Sequence, residues 1–282
     1  MLKTVGSSTR PFISDYIRAR HKACPIKNVL EIGPLDKPFI SKLLKKASIK
    51  YLDHATRSDL IRKYGDTVDS ASIPEIDFVF DGYRPYSDIC GLGYDLVFSS
   101  HCLEHQPNLL GHLNEVSEIL ANGGMYVCFI PDFRYCFDSL RPPSTIIDIL
   151  LEFYSSPSRP STRSILEHLF VSSGTSNDSI AHQKSWRDMS RDQYIDKLTD
   201  VTCSNALRLL NKAKEIINSN VYHDCHVWKL YPLGMSRILE TIISCGLLGF
   251  KSFSVFQSSD HMKKYEFALV LKAGEDELFT HS

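Results

Sequence analysis

Short apolar runs alternate with amphipathic stretches through the first half of the chain. Asn28–Ile32 (Asn-Val-Leu-Glu-Ile) predicts a buried strand, and Lys50–Asp53, Phe78–Phe80, Tyr94–Ser99 and Met125–Ile130 repeat the signal. Between them, Pro38–Ala47 places Phe39, Ile40, Leu43 and Leu44 on one side of a predicted helix. Leu109–Leu120 does the same with Leu113, Val116, Ile119 and Leu120, and Asn122-Gly123-Gly124 stops it. Strands separated by helices predict parallel neighbours with crossovers on both faces: a Rossmann-like, doubly wound α/β sheet, mostly parallel. Near the end, Pro232–Cys245 reads as an amphipathic helix carrying Leu233, Ile238, Leu239, Ile242 and Ile243. Phe250–Gln257 and Glu266–Leu271 then follow closely enough to pair as an antiparallel hairpin, for seven strands in all.

The alternation breaks after the fifth of these strands. Residues 139–222 are rich in Ser, Arg and Pro, with helical stretches near 144–154, 164–170 and 190–218. That is too long for a plain connection in a compact domain. The expected organisation is one α/β domain from 1–138 and 223–282, with 139–222 as a helical insertion that serves as a lid.

Composition narrows the function classes. Lys+Arg 32 against Asp+Glu 33 leaves a formal charge of −1. Nucleic-acid partners usually impose a basic excess, and no Asn/Asp-Pro-Pro-Tyr/Phe segment for a flipped base is present. No nucleic-acid partner is therefore expected. The first 22 residues carry Lys3, Arg10, Arg18, Arg20 and Lys22 without the apolar stretch of a signal peptide, and no run spans a bilayer. The expected location is cytoplasmic, which leaves room for a peripheral membrane contact. The eight cysteines are scattered with no Cys-x-x-Cys pair, so buried reduced thiols are expected rather than a zinc ribbon or redox dithiol.

Candidate chemistry gathers at the carboxyl ends of the predicted strands, where open α/β sheets bind ligands. Glu31 and Gly33-Pro34 end the first strand, Asp53 the second, and Asp81-Gly82 the third. Asp53 suits both hydroxyls of a ribose, and Asp81 an adenine amino group. NAD and FAD need several glycines so that backbone can approach a pyrophosphate, and only Gly33 stands in this first loop. S-adenosylmethionine (SAM) carries no phosphate, and its ammonium is served by an acid such as Glu31. The three acids thus outline a SAM site rather than a dinucleotide site; each alone is more often an ordinary polar strand end, and it is the ordered set that points to SAM.

These residues also resemble a known family. Glu31-Ile-Gly, Asp53, Tyr94-Asp-Leu-Val-Phe-Ser-Ser-His-Cys-Leu-Glu-His105 and Gly123-Gly124 are similar to the class I SAM-dependent methyltransferases. Glu31-Ile-Gly-Pro-Leu-Asp-Lys-Pro38, Tyr51-Leu-Asp-His54, Pro131-Asp-Phe-Arg-Tyr135, Phe137-Asp138 and His226-Val-Trp228 resemble a bacterial subgroup of methyltransferase type 11-like proteins associated with polysaccharide biosynthesis. The likeness covers residues 28–155 well and 222–271 more loosely. It implies a SAM-binding fold, methyl transfer and a saccharide or glycan hydroxyl as acceptor. It also places Ser99 and His101 in the cofactor site. The sequence departs from the wider family in lacking Gly-x-Gly-x-Gly, and Ala121-Asn122 stands where a proline precedes Gly-Gly.

Methyl transfer to a hydroxyl needs a group that removes a proton. His226 is the preferred base and His223 its rival; Asp132 and His105 complete the catalytic candidates. Asp132 follows the fifth strand and is placed to accept an acceptor's hydroxyl, and Arg134 to grip an acceptor's charge; alternatively the two pair and brace the insertion. Tyr135 and Trp228 complete the predicted acceptor site, Trp228 as a wall for a sugar face. His105 either orients the acceptor or serves packing. His223 and His226, with Glu104, His101 and His105, superficially suggest a metal site, but Asp224 and Cys225 alternate sides of an extended segment, and no metal is expected. Methylation of a small metabolite, or a catalytically silent SAM-fold scaffold, are the alternative readings.

Overall fold

The computed structural model describes residues 1–6, 8–139, 141–172, 206–219, 222–260 and 265–274. Its centre is one sheet of eight strands: β1 (Leu2–Val5), β2 (Asn28–Ile32), β3 (Ser48–Asp53), β4 (Phe78–Val79), β5 (Tyr94–Ser100), β6 (Leu120–Pro131), β7 (Ser252–Ser258) and β8 (Glu266–Lys272). Their order is β1-β7-β8-β6-β5-β2-β3-β4. All neighbouring pairs run parallel except those made by β8, which is antiparallel to both β6 and β7. The expected hairpin is therefore present. The seven-strand expectation is corrected to eight: β1 adds itself to the β7 edge, a four-residue strand in which only Val5 is buried. So little apolar signal leaves no period to read.

The sheet is covered on both faces, as successive residues of a buried strand dictate. Leu30 and Ile32 of β2 face one core with Val97, Cys128 and Leu269, whereas Val29 faces the other with Phe98, Val127 and Ala268. Helix α4 (Leu109–Ile119) and the last described helix, Pro232–Ser244, cover the first face through Leu113, Val116, Met235 and Leu239. Helix α1 (Thr9–Ala23) covers the second through Ile13 and Ile17, one turn apart. Two short helices, α2 (Arg57–Tyr64) and α3 (Tyr86–Cys90), flank β4. Each buries little, Leu60 in one and Tyr86 in the other, so neither left a period in the sequence. The predicted Pro38–Ala47 helix is reduced to one turn at Ile40–Lys42 followed by single turns to Ala47. The backbone N–H groups of Phe39 and Ile40, at the start of this turn, donate to Glu31.

Within 139–222, α5 (Ile146–Ser155), α6 (Thr162–Glu167) with a following turn to Ser172, and α7 (Ala206–Asn218) are described. The helix expected from residue 190 lies outside the described residues up to 205. Helix α5 starts with a reciprocal Thr145–Asp148 cap and packs Ile149 into the main core. Ile165, Leu169 and Ala213 join α6 and α7 in a small core of their own. The last helix, α8, is Pro232–Ser244.

Both roots of this region are stitched to each other. The Ser144 N–H donates to the Lys229 carbonyl (3.0 Å), the Lys229 N–H donates to Ser144 Oγ (3.0 Å), and buried Arg141 reaches the His226 carbonyl (2.8 Å). Among the described residues no helix is long and apolar enough to cross a membrane.

Candidate functional site

The chain order reverses at β2, which has β3 on one side and β5 on the other. At that switch point, beyond the carboxyl ends of β2, β3, β4 and β5, lies a cleft of about 840 Å³. Its size falls within the range of about 300–1,000 Å³ usual for small-molecule sites. Glu31, Gly33, Pro34, Asp53, Asp81, Gly82, His101 and His105 all line it. The three strand-end acids thus share one crevice.

The β2 end is shaped by backbone conformation. Gly33 has φ +64°, and a side chain there would also press on Cys102 Sγ at 3.4 Å. Leu35 (φ 42°) and His101 (φ 52°) are left-handed without being glycine. Such residues cost on the order of 1 kcal/mol or more and cluster at ligand sites. Glu31 is buried, and its two oxygens accept the N–H groups of Phe39 (2.6 Å) and Ile40 (3.2 Å). Burial pushes its carboxyl up to about 7, against the pull of those two amides. Glu31 therefore organises the loop that walls the cleft.

At the β3 end, Asp53 is 6% exposed. Its Oδ1 accepts the His54 N–H (2.7 Å) and lies 2.6 Å from His54 Nδ1, which fixes the carboxylate's orientation. Asp81 is more open. Its carboxylate accepts the N–H groups of Tyr83 and Arg84 (both 3.0 Å) and the Arg84 Nε–H (2.7 Å), which together hold it well below the ordinary carboxylate range. Those bonds close the loop around Gly82, whose φ is +81°.

At the β5 end, Ser100 lines the cleft, whereas Ser99 does not. Ser99 is fully buried and 2.7 Å from the Tyr126 hydroxyl, in a network with His112 and Tyr86. Burial pushes the His112 imidazole down to about 3, so the network is neutral core. The place at the cleft expected of Ser99 is taken by Ser100, because neighbours on a strand face opposite ways. Ser100 Oγ accepts from Arg10, which also grips buried Glu266 through Nε (2.7 Å) and Nη2 (2.8 Å). His101 Nε2 reaches the same carboxylate at 3.0 Å. Burial alone would raise the Glu266 carboxyl, but His101 and Arg10 outweigh it and lower it.

Beside His101, the turn Leu103–His105 carries His105 into the cleft wall. His105 Nδ1 lies 2.8 Å from Asp224 Oδ1, and Asp224 Oδ2 accepts the Tyr64 hydroxyl at 2.9 Å. Burial opposes the imidazolium of His105, yet Asp224 and Glu104 win and its pKa is raised. The Asp224 carboxyl, pushed up by burial and down more strongly by His105 and Tyr64, is lowered.

The other candidates lie elsewhere. His226 is 8% exposed and stands behind His105, ring centroids 4.6 Å apart, with Nδ1 2.5 Å from Asp138 Oδ2. It does not line the cleft. His223 is turned toward His168, with the burial of its ring and the charge of Lys212 lowering its pKa. Asp132 and Arg134 pair with each other, at 2.8 and 2.6 Å, and with Tyr135 they do not line the cleft. Trp228 is in the core and donates to the Gln106 carbonyl (2.6 Å), so it offers no wall to a sugar. Arg10, Tyr64, Tyr222 and Asp224, which the sequence reading did not select, line the cleft instead. Only Asp224 had a sequence signal, its place between two histidines.

Charge distinguishes among ligands. Glu31, Asp36, Asp53, Asp81 and Asp224 face Arg10, Lys37 and Arg159 across the lining. Five acids against three bases favour a cationic ligand over a pyrophosphate.

No family model matches the chain, and no curated protein matches it. Among solved structures it is similar to the CurJ carbon methyltransferase (13% identity over 95% of this chain and 54% of that chain, TM-score 0.45). It is also similar to the trans-methyltransferase CalH in complex with S-adenosylhomocysteine, SAH (14%, 92% and 55%, TM-score 0.43). A third is an O-methyltransferase family protein from Burkholderia thailandensis (11%, 95% and 60%, TM-score 0.39). The chain spans a little over half the length of each of these structures.

Proposed function

We propose that this chain is a SAM-dependent methyltransferase of the Rossmann-like class that methylates a hydroxyl of a sugar or glycan. The observation that carries the cofactor assignment is the buried, pre-oriented Asp53 carboxylate beside the left-handed Gly33 turn, in a cleft with an acidic excess. This donor set fits SAM. A carboxylate at the β3 end accepts ribose hydroxyls, the single glycine lets backbone approach without a phosphate cradle, and the acidic lining suits a sulfonium. The saccharide acceptor is supported by the sequence resemblance to methyltransferases of polysaccharide biosynthesis, which also suggests a cytoplasmic place of work.

Bound there, SAM supplies an electrophilic methyl group. The chain's part is to hold the acceptor oxygen in line with that methyl and to take its proton. Asp53 fixes the adenosine end. His101 and His105 also line the cleft, where an acceptor oxygen would arrive, and Asp224 lies beside the His105 ring. Ser158 and Arg159, which join α5 to α6, reach the rim opposite Gly82. The insertion is accordingly read as a cover that keeps water from the methyl group.

Incubation with methyl-labelled SAM and a panel of saccharides and low-mass phenols and carboxylates tests this reading. The expected result is stoichiometric SAH and label on a sugar oxygen. Label confined to low-mass acceptors overturns the saccharide assignment, and no SAH with any acceptor overturns the activity. A second expectation concerns Glu31. With its carboxyl at about 7, it is mostly protonated at pH 6.5, and a cation arriving beside it favours the carboxylate. SAM binding at that pH releases protons, and affinity rises toward pH 8. Calorimetry in two buffers of different ionisation enthalpy reads the release; the same release in Glu31→Gln contradicts this origin.

A further inference from the structure

Glu104 is 0% exposed, and neither carboxylate oxygen has a hydrogen-bond partner among the described residues. A buried carboxylate left unpaired is strongly unfavourable, so its surroundings must answer it. Three histidines do so at a distance. His105 Nε2 lies 3.6 Å from Glu104 Oε1, His226 Nε2 3.8 Å and His101 Nδ1 3.9 Å. These separations are too long for hydrogen bonds. They are close to the spacing of atoms that share an ion, because a tetrahedral centre with bonds of about 2.0–2.1 Å sets its ligand atoms about 3.4 Å apart. One ligand atom each from Glu104, His105 and His226 fall within 4.8 Å of one another.

We propose that Glu104, His105 and His226 bind a divalent transition-metal ion, of which zinc is the type, at the edge of the cleft. Two further features are those of a metal site. Each histidine has its Nδ1 near a carboxylate, His226 hydrogen-bonded to Asp138 (2.5 Å) and His105 within ion-pair distance of Asp224 (2.8 Å), and each turns its Nε2 toward Glu104. Carboxylate–histidine pairs of this kind set the tautomer and aim of metal-binding imidazoles. The frame is also pre-formed, since the Glu104 carbonyl accepts the N–H groups of Val227 (2.8 Å) and Trp228 (3.1 Å) and so ties the two ligand-bearing segments together. Two imidazoles and one carboxylate suit zinc or iron better than magnesium or calcium, and three protein ligands leave a position open. The neighbouring group Cys136, Asp138 and His226 is the weaker candidate. Asp138 is already bound to Arg141 at 2.8 Å, and burial keeps the Cys136 thiol protonated.

His105 borders both the ion and the cleft, so the open position would face an acceptor oxygen. That role rests on the methyltransferase reading; the binding of the ion does not. The test uses the full chain stripped with a chelator and titrated with Zn²⁺ or Co²⁺ alone. One ion per chain is expected, with the visible bands of a four- or five-coordinate Co²⁺. Glu104→Gln and His226→Asn should each weaken uptake about 100-fold or more, and Asp138→Asn by about 10–100-fold. An unmodified protein that takes up neither ion overturns the proposal, as does undiminished affinity in folded Glu104→Gln and His226→Asn. Stoichiometry on the unmodified chain decides even where a variant does not fold. SAH calorimetry on the same stripped protein separates the two readings: metal uptake without SAH binding counts against the methyltransferase alone, and SAH binding without metal uptake against the ion alone.

Discussion

Asp53→Ala is expected to weaken SAH binding by about 100-fold or more while leaving the protein folded. The carboxylate sits at the tip of β3, nearly closed to solvent, with Oδ1 steered by the backbone and ring of His54. A pre-oriented carboxylate accepting two ribose hydroxyls contributes about 1.5–3 kcal/mol per bond. Each 1.4 kcal/mol is tenfold in affinity, so losing both bonds costs at least two orders of magnitude. Asp53→Asn keeps the shape and part of the accepting power, and its loss should be about tenfold. Titration calorimetry measures both, with the urea midpoint as the control for folding. Unchanged affinity in Asp53→Ala would remove Asp53 from the site.

The second large effect concerns stability. Arg141 is fully buried and donates to Asp138 (2.8 Å), to the His226 carbonyl (2.8 Å) and to Glu167 (3.1 Å). Asp138 is the shared partner of Arg141 and His226, and together they hold its carboxyl down at about 2 although burial alone would raise it. Removing one member of such a group strands a charge in a dry interior, at a cost of about 3–5 kcal/mol. Asp138→Ala should therefore lower the unfolding free energy by at least about 3 kcal/mol in urea titrations. A loss under about 1 kcal/mol would mean that Glu167 and the His226 carbonyl suffice for the guanidinium. Because Asp138 and Arg141 stand at the root of the 139–222 region, the same variant should expose that region to proteolysis first.

How much of this was legible depended on how locally each feature is encoded. Strands β2, β5 and the Met125–Ile130 part of β6 are buried on both faces and read as apolar runs, whereas β3 is buried only at Leu52 and Asp53; their positions and the acids at the β2 and β3 ends were visible. Strand β1 and helix α1 bury only Val5, Ile13, Ile17 and Thr9 between them, and their placement is fixed by pairing with β7 and by the second core. In the site, a one-residue step decides between Ser99 and Ser100, and only the packing of Ser99 against Tyr126 shows which of them faces the cleft. Trp228 and the Asp132–Arg134 pair have the chemistry of an acceptor site but use it on Gln106 and on each other. Glu104, flanked in sequence by His101 and His105, gains its meaning from His226 and Asp224, more than a hundred residues away.

The central claim is that the acids at neighbouring strand ends embrace a phosphate-free adenosine. A crystal structure of the chain grown with SAH tests it most directly. The account predicts the ribose hydroxyls on Asp53, the adenine between the β3 and β4 ends near Asp81, and the sulfur directed toward His101 and His105. Ligand bound away from Asp53, or a cleft that stays without ligand at saturating SAH, would contradict it.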